Sequence, residues 1–515
     1  MFRKLLLAAL CCVPSIAHAE WQEAISRHFI VYSDDTPEHV RAFTIRLERF
    51  DQAIRFWHMA PQDKYGPSAR VTVYVLDDTD DIAKLAGADG IAGFYVPIAG
   101  RSVAFTPRNS SDISRRAILF HEYTHHWMLT NWADAAFPPW FVEGFAEMHA
   151  TAMIRPDGSV VFGAPPLYRQ WTVGNMSLLP SERLLRSDPG KLDGATRDAL
   201  YSRGWLLTHY LTFDDERRGQ LAAYIGAINA GKSAEEASKI LGDAARLDYK
   251  LTSYAQRPLF PSALIPADKL TIGEIAIRQL TPAQAAMMPA SILSNRGVSP
   301  EAAPKVAALA RKLAAPYPND PWAQNELAEA EYDAKNYAAA EAAADRALAA
   351  DPKSIHALLY KGMAQEAAAV AAKESDPAKW QAIRRWFLAA NKVDTEAPQP
   401  LAAYYDSFDA AGQKPTANAQ AALLYAYALA PYDTTLRMRA ALVYLQQDKV
   451  HEARVALAPV AYNVEGRSTS DAARKVLTAI EGGNAAAGIA AIEEMTLKGD
   501  EKAKADPGKG GDKQS

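Results

Sequence analysis

The sequence contains only two cysteines, Cys11 and Cys12, and both lie within its first 19 residues. If those residues are removed, no cysteine remains, which excludes disulfide bonds, thiol catalysis and thiolate metal ligands. No later stretch reaches the roughly 18 consecutive apolar residues of a membrane-spanning helix. A large positive charge is also absent, because 56 Lys and Arg stand against 60 Asp and Glu. The sequence therefore predicts no transmembrane segment and no nucleic-acid partner.

The first 19 residues have the pattern of a secretory signal peptide. Arg3 and Lys4 precede an apolar stretch over residues 5–13, and Ala17-His18-Ala19 offers the small residues of a cleavage site. This pattern predicts a cleaved signal peptide over residues 1–19. We therefore expect a periplasmic or secreted protein.

The most informative motif is His121-Glu122-Tyr123-Thr124-His125. Positions i and i+4 of a helix lie on one face, so the imidazoles of His121 and His125 can converge on one ion. Catalytic Zn²⁺ accepts imidazole nitrogen and carboxylate oxygen from three protein ligands and keeps a fourth position for water. Glu122 lies beside the first histidine, where it can act on that water as general base. The motif predicts a zinc site with Glu122 as a catalytic residue.

A second segment, Trp140 to Glu147, follows Pro138-Pro139, where proline is tolerated in the first turn of a helix. Glu143 is the natural third zinc ligand. Glu147 lies one turn later on the same face, and we expect it to orient a ligand histidine through the other ring nitrogen. The alternative is an ordinary buried helix with hydrogen-bonded histidines. The coincidence of ligands, base and second helix argues against that alternative.

These two segments resemble the gluzincin zinc metallopeptidases, the thermolysin-like and aminopeptidase N-like enzymes. In that group the glutamate of a Glu-Gly-Phe-Ala segment is the third zinc ligand, which falls on Glu143 here. The segment from Leu200 to Trp205 is similar to the group's Tyr-x-Lys-Gly segment, whose tyrosine stabilises the tetrahedral intermediate. The resemblance, which covers roughly residues 71–211, implies that role for Tyr201, with an arginine in place of the lysine. A packing tyrosine is the alternative.

Residues 91–97 and 101–106 predict a β-hairpin that turns at Ala99-Gly100. Aminopeptidases of the similar group carry a Gly-x-Met-Glu-Asn segment whose glutamate holds the substrate's amino terminus, and the comparable place here has no acid. An endopeptidase is therefore favoured over an aminopeptidase. In gluzincins an edge strand binds the peptide main chain, so the substrate-binding candidates are Gly93, Phe94 and Tyr95. An ordinary hairpin that touches no substrate is the alternative.

The residues that match the tetratricopeptide pattern recur at helical spacing after the catalytic part: Leu327, Ala328, Tyr337, Ala340, Ala344, Ala347, Leu348 and Pro352. One such repeat is insufficient alone, so neighbouring repeats are required. We expect an all-α solenoid that recruits a protein substrate or a protein partner.

Strand and helix patterns together predict an α+β fold, in which a small mixed sheet and a helical zinc-binding subdomain precede the solenoid. The predicted parts are an N-terminal α/β subdomain with an edge hairpin over 20–107, a catalytic subdomain over 108–260, a proline-bearing linker over 261–302, repeats over 303–495 and a disordered tail over 496–515.

The sequence thus predicts a secreted metallopeptidase that uses Zn²⁺ as cofactor and acts on a peptide or protein substrate. Two alternatives stay open. One is a catalytically inactive periplasmic scaffold with a peptidase-like domain. The other is a zinc hydrolase of non-peptide bonds, because activation of water by a metal is shared between these reactions.

Overall fold

The structure is a computed structural model that describes residues 20–60, 66–88, 91–108, 113–169, 177–186, 192–462 and 467–494. The predicted signal peptide and the predicted tail over 496–515 lie outside these residues. The described part is α+β, as predicted, with a mixed sheet followed by a long all-helical region. Among the described helices, none is both long enough and apolar enough to cross a bilayer.

Nine strands are described: β1 (Gln22–Ile25), β2 (Phe29–Ser33), β3 (Val71–Leu76), β4 (Phe94–Val96), β5 (Val103–Pro107), β6 (Met153–Ile154), β7 (Val160–Phe162), β8 (Ala263–Ile265) and β9 (Ala276–Gln279). Six of them form the main sheet in the order β4-β5-β3-β2-β1-β9, and the other three form a small sheet in the order β6-β7-β8. In the main sheet β2, β3 and β5 are parallel, whereas β4, β1 and β9 are antiparallel to their neighbours. The predicted hairpin is confirmed as β4 and β5, with β4 at the edge of the sheet.

The helices up to residue 296 are α1 (Pro37–Trp57), α2 (Thr79–Ala86), α3 (Ile113–Asn131), α4 (Pro139–Ala150), α5 (Ser181–Leu185), α6 (Gly194–Phe213), α7 (Gln220–Asn229), α8 (Ala234–Ser238), α9 (Ala244–Ala255) and α10 (Pro282–Arg296). One face of the main sheet packs against α1 and α3, where Val73 of the sheet meets Phe50 and Trp127. The opposite face packs against α2 and α10 through Tyr74 and Met288. Because the first core contains residues from both sides of position 107, the two predicted subdomains share one hydrophobic core.

The remaining helices form an array in which each helix packs against the next: α11 (Ala303–Ala314), α12 (Pro321–Asp333), α13 (Tyr337–Ala350), α14 (Ile355–Ala371), α15 (Pro377–Val393), α16 (Pro398–Ala410), α17 (Ala417–Leu429), α18 (Thr434–Gln446), α19 (Val450–Ala461) and α20 (Arg467–Ala479). Alanines such as Ala340 and Ala344 are fully buried between helices. Small side chains at these places allow close helix packing.

Residues 261–302, which the sequence predicts to be a linker, contain two strands and a helix. Within this segment, β8 pairs with β7, β9 pairs with β1 of the main sheet, and α10 covers that sheet. The prolines do not mark a free linker, because Pro266 precedes a short 3-10 helix and Pro282 occupies the first turn of α10. This segment therefore completes the two sheets and leads into the helical array.

Candidate active site

The helix α3 carries the His121-to-His125 motif and is anchored to the core on its other sides. Its Tyr123 hydroxyl donates to Asp51 of α1 at 2.8 Å, and Phe120 stacks on Phe50 with ring centroids 3.9 Å apart. Trp127 is 1% exposed. These contacts fix the rotation of α3 about its own axis, and with it the direction of both histidines.

The helix α4 begins at Pro139, which occupies its first turn as predicted. Glu143 and Glu147 are both buried on this helix. A long apolar helix would bury two carboxylates only with compensating partners, because an unpaired buried charge is costly. The partners lie on α3 and in the segment that follows β7.

His121, His125 and Glu143 converge on one point. The Nε2 atoms of His121 and His125 are 3.1 Å apart, and Oε2 of Glu143 lies 3.3 Å from the first and 3.5 Å from the second. Among the described residues, this is the group of three His, Cys, Asp or Glu side chains whose ligand atoms come close enough to hold one ion. The structure thus brings together the three residues that the sequence assigns to the metal.

This donor set fits a zinc ion. Tetrahedral zinc with bonds of 2.0–2.1 Å holds its ligand atoms about 3.3 Å apart, which matches the observed triangle. In addition, Oε2 of Glu143 is shielded from solvent and has no hydrogen-bond partner within the described chain. A buried carboxylate oxygen without a partner is expensive, so a cation at the centre of the triangle would satisfy it.

The electrostatics of the site favour ionised Glu143. Burial alone would raise the pKa of its carboxyl, but the neighbouring His125 and His121 outweigh burial and lower the pKa to about 2. Burial opposes the charged form of His121, but Glu143 and Glu147 outweigh burial and raise its pKa. A carboxylate that is ionised throughout the physiological range is ready to bind a metal, since ligands must lose their protons first.

Glu147 lies behind His121, with Oε1 3.5 Å from Nδ1 of that ring. Both carboxylate oxygens of Glu147 also accept hydrogen bonds from the segment after β7. The Tyr168 hydroxyl donates to Oε2 at 2.7 Å, and Nε of Arg169 donates to Oε1 at 2.7 Å. This arrangement can fix the orientation of His121, which is the role that the sequence predicts for Glu147.

Tyr201 lies on α6, and its ring centroid is 5.8 Å from that of His121. The guanidinium of Arg169 lies over the Tyr201 ring at 4.5 Å. The structure therefore places Tyr201 beside the metal site, as the resemblance implies. Arg203, which replaces the lysine of the similar segment, points elsewhere, because it is fully buried and donates to Asp248 at 2.9 Å.

The helices α4 and α6 approach so closely because a glycine lies on each side of their contact. A Cβ built on Gly144 would lie 2.2 Å from the carbonyl oxygen of Gly204, and one on Gly204 would lie 2.4 Å from the carbonyl oxygen of Trp140. Both glycines belong to the two segments that resemble the gluzincins. They allow the close approach of α4 and α6, the helices that carry Glu143 and Tyr201.

We expect Gly144→Ala to destabilise the protein by about 3 kcal/mol, because the new methyl meets backbone that cannot yield. Urea-induced unfolding measures this loss. Gly226→Ala in α7 is the matched control, since nothing lies within 4 Å of its Cβ position and alanine favours a helix over glycine by about 1 kcal/mol. If the Gly144 variant is as stable as the control, the two helices can separate without loss.

Glu122 is half-buried and shares a face of α3 with His126, four positions later. That face is directed towards β4, where the Tyr95 hydroxyl hydrogen-bonds Nδ1 of His126 at 2.7 Å and Ser102 at 3.0 Å. Burial raises the pKa of Tyr95 well above its usual value, and the charge of Glu122 acts in the same direction. The candidate base thus lies on the face of α3 that is directed towards the edge strand.

The three substrate-binding candidates are placed differently. Phe94 stacks on Phe105 with centroids 4.7 Å apart, and the Tyr95 hydroxyl is engaged by α3. At Gly93 a Cβ would lie 3.2 Å from the side chain of Ile118, so this glycine allows the strand to pass close to α3. These contacts give packing roles to the Phe94 and Tyr95 side chains, and the main chain of β4 remains at the edge of the sheet.

Tyr168 and Arg169 are the site residues that sequence reasoning missed. They lie on the short 3-10 helix Leu167–Arg169, which no periodic pattern or motif marks. A faint signal did exist, because two buried glutamates on α4 require cationic or hydroxyl partners, but nothing in the sequence identifies which residues supply them.

No family model matches this chain, and no curated protein matches it. Solved structures that are similar to parts of it include the following two. The structure titled "MamA RS-1 ArsTM double mutant" is 16% identical with a TM-score of 0.26, over 34% of this chain and 91% of that chain. The yeast Tom70 structure is 12% identical with a TM-score of 0.25, over 56% of this chain and 62% of that chain. TM-scores this low carry no argument about the fold. The fold assignment therefore depends on the strand order and the helix packing described above.

Proposed function

We propose that this chain is a zinc metallopeptidase of gluzincin type that cleaves internal peptide bonds of a protein substrate. The observation that carries the proposal is the triangle of His121, His125 and Glu143 ligand atoms, with separations of 3.1, 3.3 and 3.5 Å. The signal-peptide pattern supports a periplasmic or secreted location for the proposed activity. The helical array is proposed to contribute to substrate or partner recruitment.

The chemistry that bound zinc supplies at such a site is activation of water and polarisation of the scissile carbonyl. Glu122 takes the proton of the attacking water and can return it to the leaving amine. Tyr201 donates its hydroxyl to the oxygen on which negative charge develops. Glu147 holds His121 in orientation, and Tyr168 and Arg169 hold Glu147.

The position of β4 supports internal cleavage. An extended peptide can add to the free edge of a sheet through main-chain hydrogen bonds. The segment 91–97 contains no acid that would hold a free amino terminus. Peptides would therefore be bound along the strand rather than by their end.

We expect one zinc ion per chain, and His121→Ala, His125→Ala or Glu143→Ala should each lose most of it. Glu147→Ala should weaken zinc binding about 10- to 100-fold, as the loss of a carboxylate behind a ligand histidine does. Elemental analysis of the purified full chain measures this. His451→Ala is the matched control, because that histidine is exposed on α19. Stoichiometric zinc in a His121/His125 double variant would contradict the metal site.

The decisive experiment for the activity is cleavage of a mixed protein pool, with new termini identified by mass spectrometry. New termini inside protein sequences that disappear with Glu122→Gln support the endopeptidase. Zinc binding without new termini would support one of the two alternatives, an inactive scaffold or a hydrolase of other bonds.

A further inference from the structure

The turn of the β4–β5 hairpin is buried against the helical array. The Ala99 amide donates to Oδ2 of Asp433 at 2.9 Å, and Nη1 of Arg101 donates to Oε2 of Glu329 at 2.5 Å. Between them Gly100 has φ +68°, and a Cβ there would lie 3.2 Å from Oε1 of Gln399. Three successive residues of the turn thus meet three separate parts of the array.

These contacts fall on alternate helices. Glu329 lies on α12, Gln399 in the first turn of α16, and Asp433 directly before α18. The helix α14 packs against both α12 and α16. Its His356 brings Nε2 to 3.4 Å from Oε2 of Glu329. Arrays of helical pairs use a continuous face of this kind to bind other chains. In this protein that face holds the chain's own hairpin turn.

The contact between Arg101 and Glu329 is electrostatically strong, because the carboxylate is only 1% exposed. Burial would raise the pKa of Glu329, but Arg101 first and His356 second outweigh burial and lower it. The carboxylate therefore stays ionised inside the interface. A buried carboxylate that has one guanidinium partner holds that partner in place.

The array also reaches the middle of β4, through α3. Tyr95 of β4 hydrogen-bonds His126 of α3, and the His126 ring lies 4.5 Å from the ring of Tyr432. The residue before Asp433 thus packs against the zinc-binding helix beside the edge strand. The strand β4 is in this way connected to the array at its turn and, through His126, at its middle residue.

We propose that the face made by α12, α14, α16 and α18 is a seat for residues 98–101 of the same chain, and that this seat sets the position of β4 for binding the substrate main chain. The second half rests on the proposed function, because it takes β4 as the strand that binds peptide. An external partner for this face must displace the turn. The array is then a positioning element of the active site.

Asp433→Ser in the full chain tests the seat with little disturbance of the array. Oδ1 of Asp433 caps α18 through the amides of Thr435 and Leu436, and Oδ2 holds Ala99. Serine is an equally good N-cap residue, but its side chain is shorter and has only one oxygen. The cap of α18 is therefore kept and the hydrogen bond to the Ala99 amide is lost. Asp376→Ser is the matched control, because Asp376 caps α15 from an exposed position.

Two readouts are needed: hydrogen exchange of the amides in residues 94–104, and kcat and KM on an extended peptide. Asp433→Ser should speed exchange in the hairpin and raise KM about fivefold, the effect of one lost hydrogen bond, with kcat and zinc content unchanged. Asp376→Ser should change neither. Equal effects of the two variants would overturn the proposal, because both would then reflect general loosening of the array.

The two proposals fail in different ways. If hairpin exchange in Asp433→Ser equals that of the wild type, the seat is overturned whatever the activity. If exchange rises but KM does not, the seat does not set the position of β4 and the proposal is also overturned. If the wild type cleaves no peptide, the proposed function fails, and the seat is then decided by hydrogen exchange alone.

Discussion

Glu122→Gln should nearly abolish hydrolysis and leave zinc content and folding unchanged. Glutamine has almost the same shape as glutamate but cannot accept the proton of the attacking water. Loss of a positioned general base typically lowers the rate by about 100- to 10,000-fold. Turnover of one peptide, measured beside zinc content and thermal unfolding, tests this expectation.

Glu143→Gln is the informative comparison. It makes the same chemical change 21 positions later in the chain, but Oε2 of Glu143 belongs to the ligand triangle. That variant should lose zinc as well as activity. If Glu122→Gln also loses zinc, Glu122 is part of the metal site, and the base must be another residue.

Tyr201→Phe should lower kcat about 100- to 1000-fold, or by about 3 to 4 kcal/mol in transition-state stabilisation, because one donor to the developing oxyanion is removed. KM should change little, since such a hydrogen bond strengthens mainly in the transition state. The ring remains, so its contacts with His121 and Arg169 are kept. Steady-state kinetics on one peptide separate the two constants.

Tyr249→Phe is the control for this change, because that tyrosine is 73% exposed on α9 and far from the motif in sequence. It should have wild-type kinetics. A Tyr201→Phe protein with normal turnover would make Tyr201 a packing residue, and the oxyanion donor would then be another group near the ligands.

The convergence of His121, His125 and Glu143 was predictable from sequence because its geometry is local. The spacing of His121 and His125 within one helix fixes their common face, and Glu143 follows a proline that starts the next helix. Gly144 and Gly204 belong to the two segments that the sequence analysis identifies. The sequence alone did not predict their role in helix packing. Only the structure reveals that they allow two helices to touch through bare backbone.

The missed parts depend on contacts between distant residues. The strand β1 reads Gln-Glu-Ala-Ile and β9 reads Ala-Ile-Arg-Gln, so neither has the apolar alternation that predicts a strand. They are strands because β1 pairs with β2 and β9, and Tyr32 and Arg278 donate to the buried carboxylate of Glu23. The seat of the hairpin turn could not be predicted from sequence either, because each of its two hydrogen bonds joins residues more than 200 positions apart.

The pairing of β1 with β9 affects the order in which parts of the protein can fold. Arg278 donates to Glu23 at 2.5 Å across 255 positions of sequence. The first described strand, β1, therefore obtains this hydrogen-bond partner only from β9. Contacts of such long range are slow to form, because a long loop must close first. A chain synthesised only as far as Arg257 carries the metal ligands and Tyr201, but its β1 is an open edge with a carboxylate that has no guanidinium partner. We therefore expect folding of the part that carries the candidate site to wait for β9, which has no role in the proposed chemistry. A chain interrupted before β9 would expose a strand edge on which other chains can aggregate.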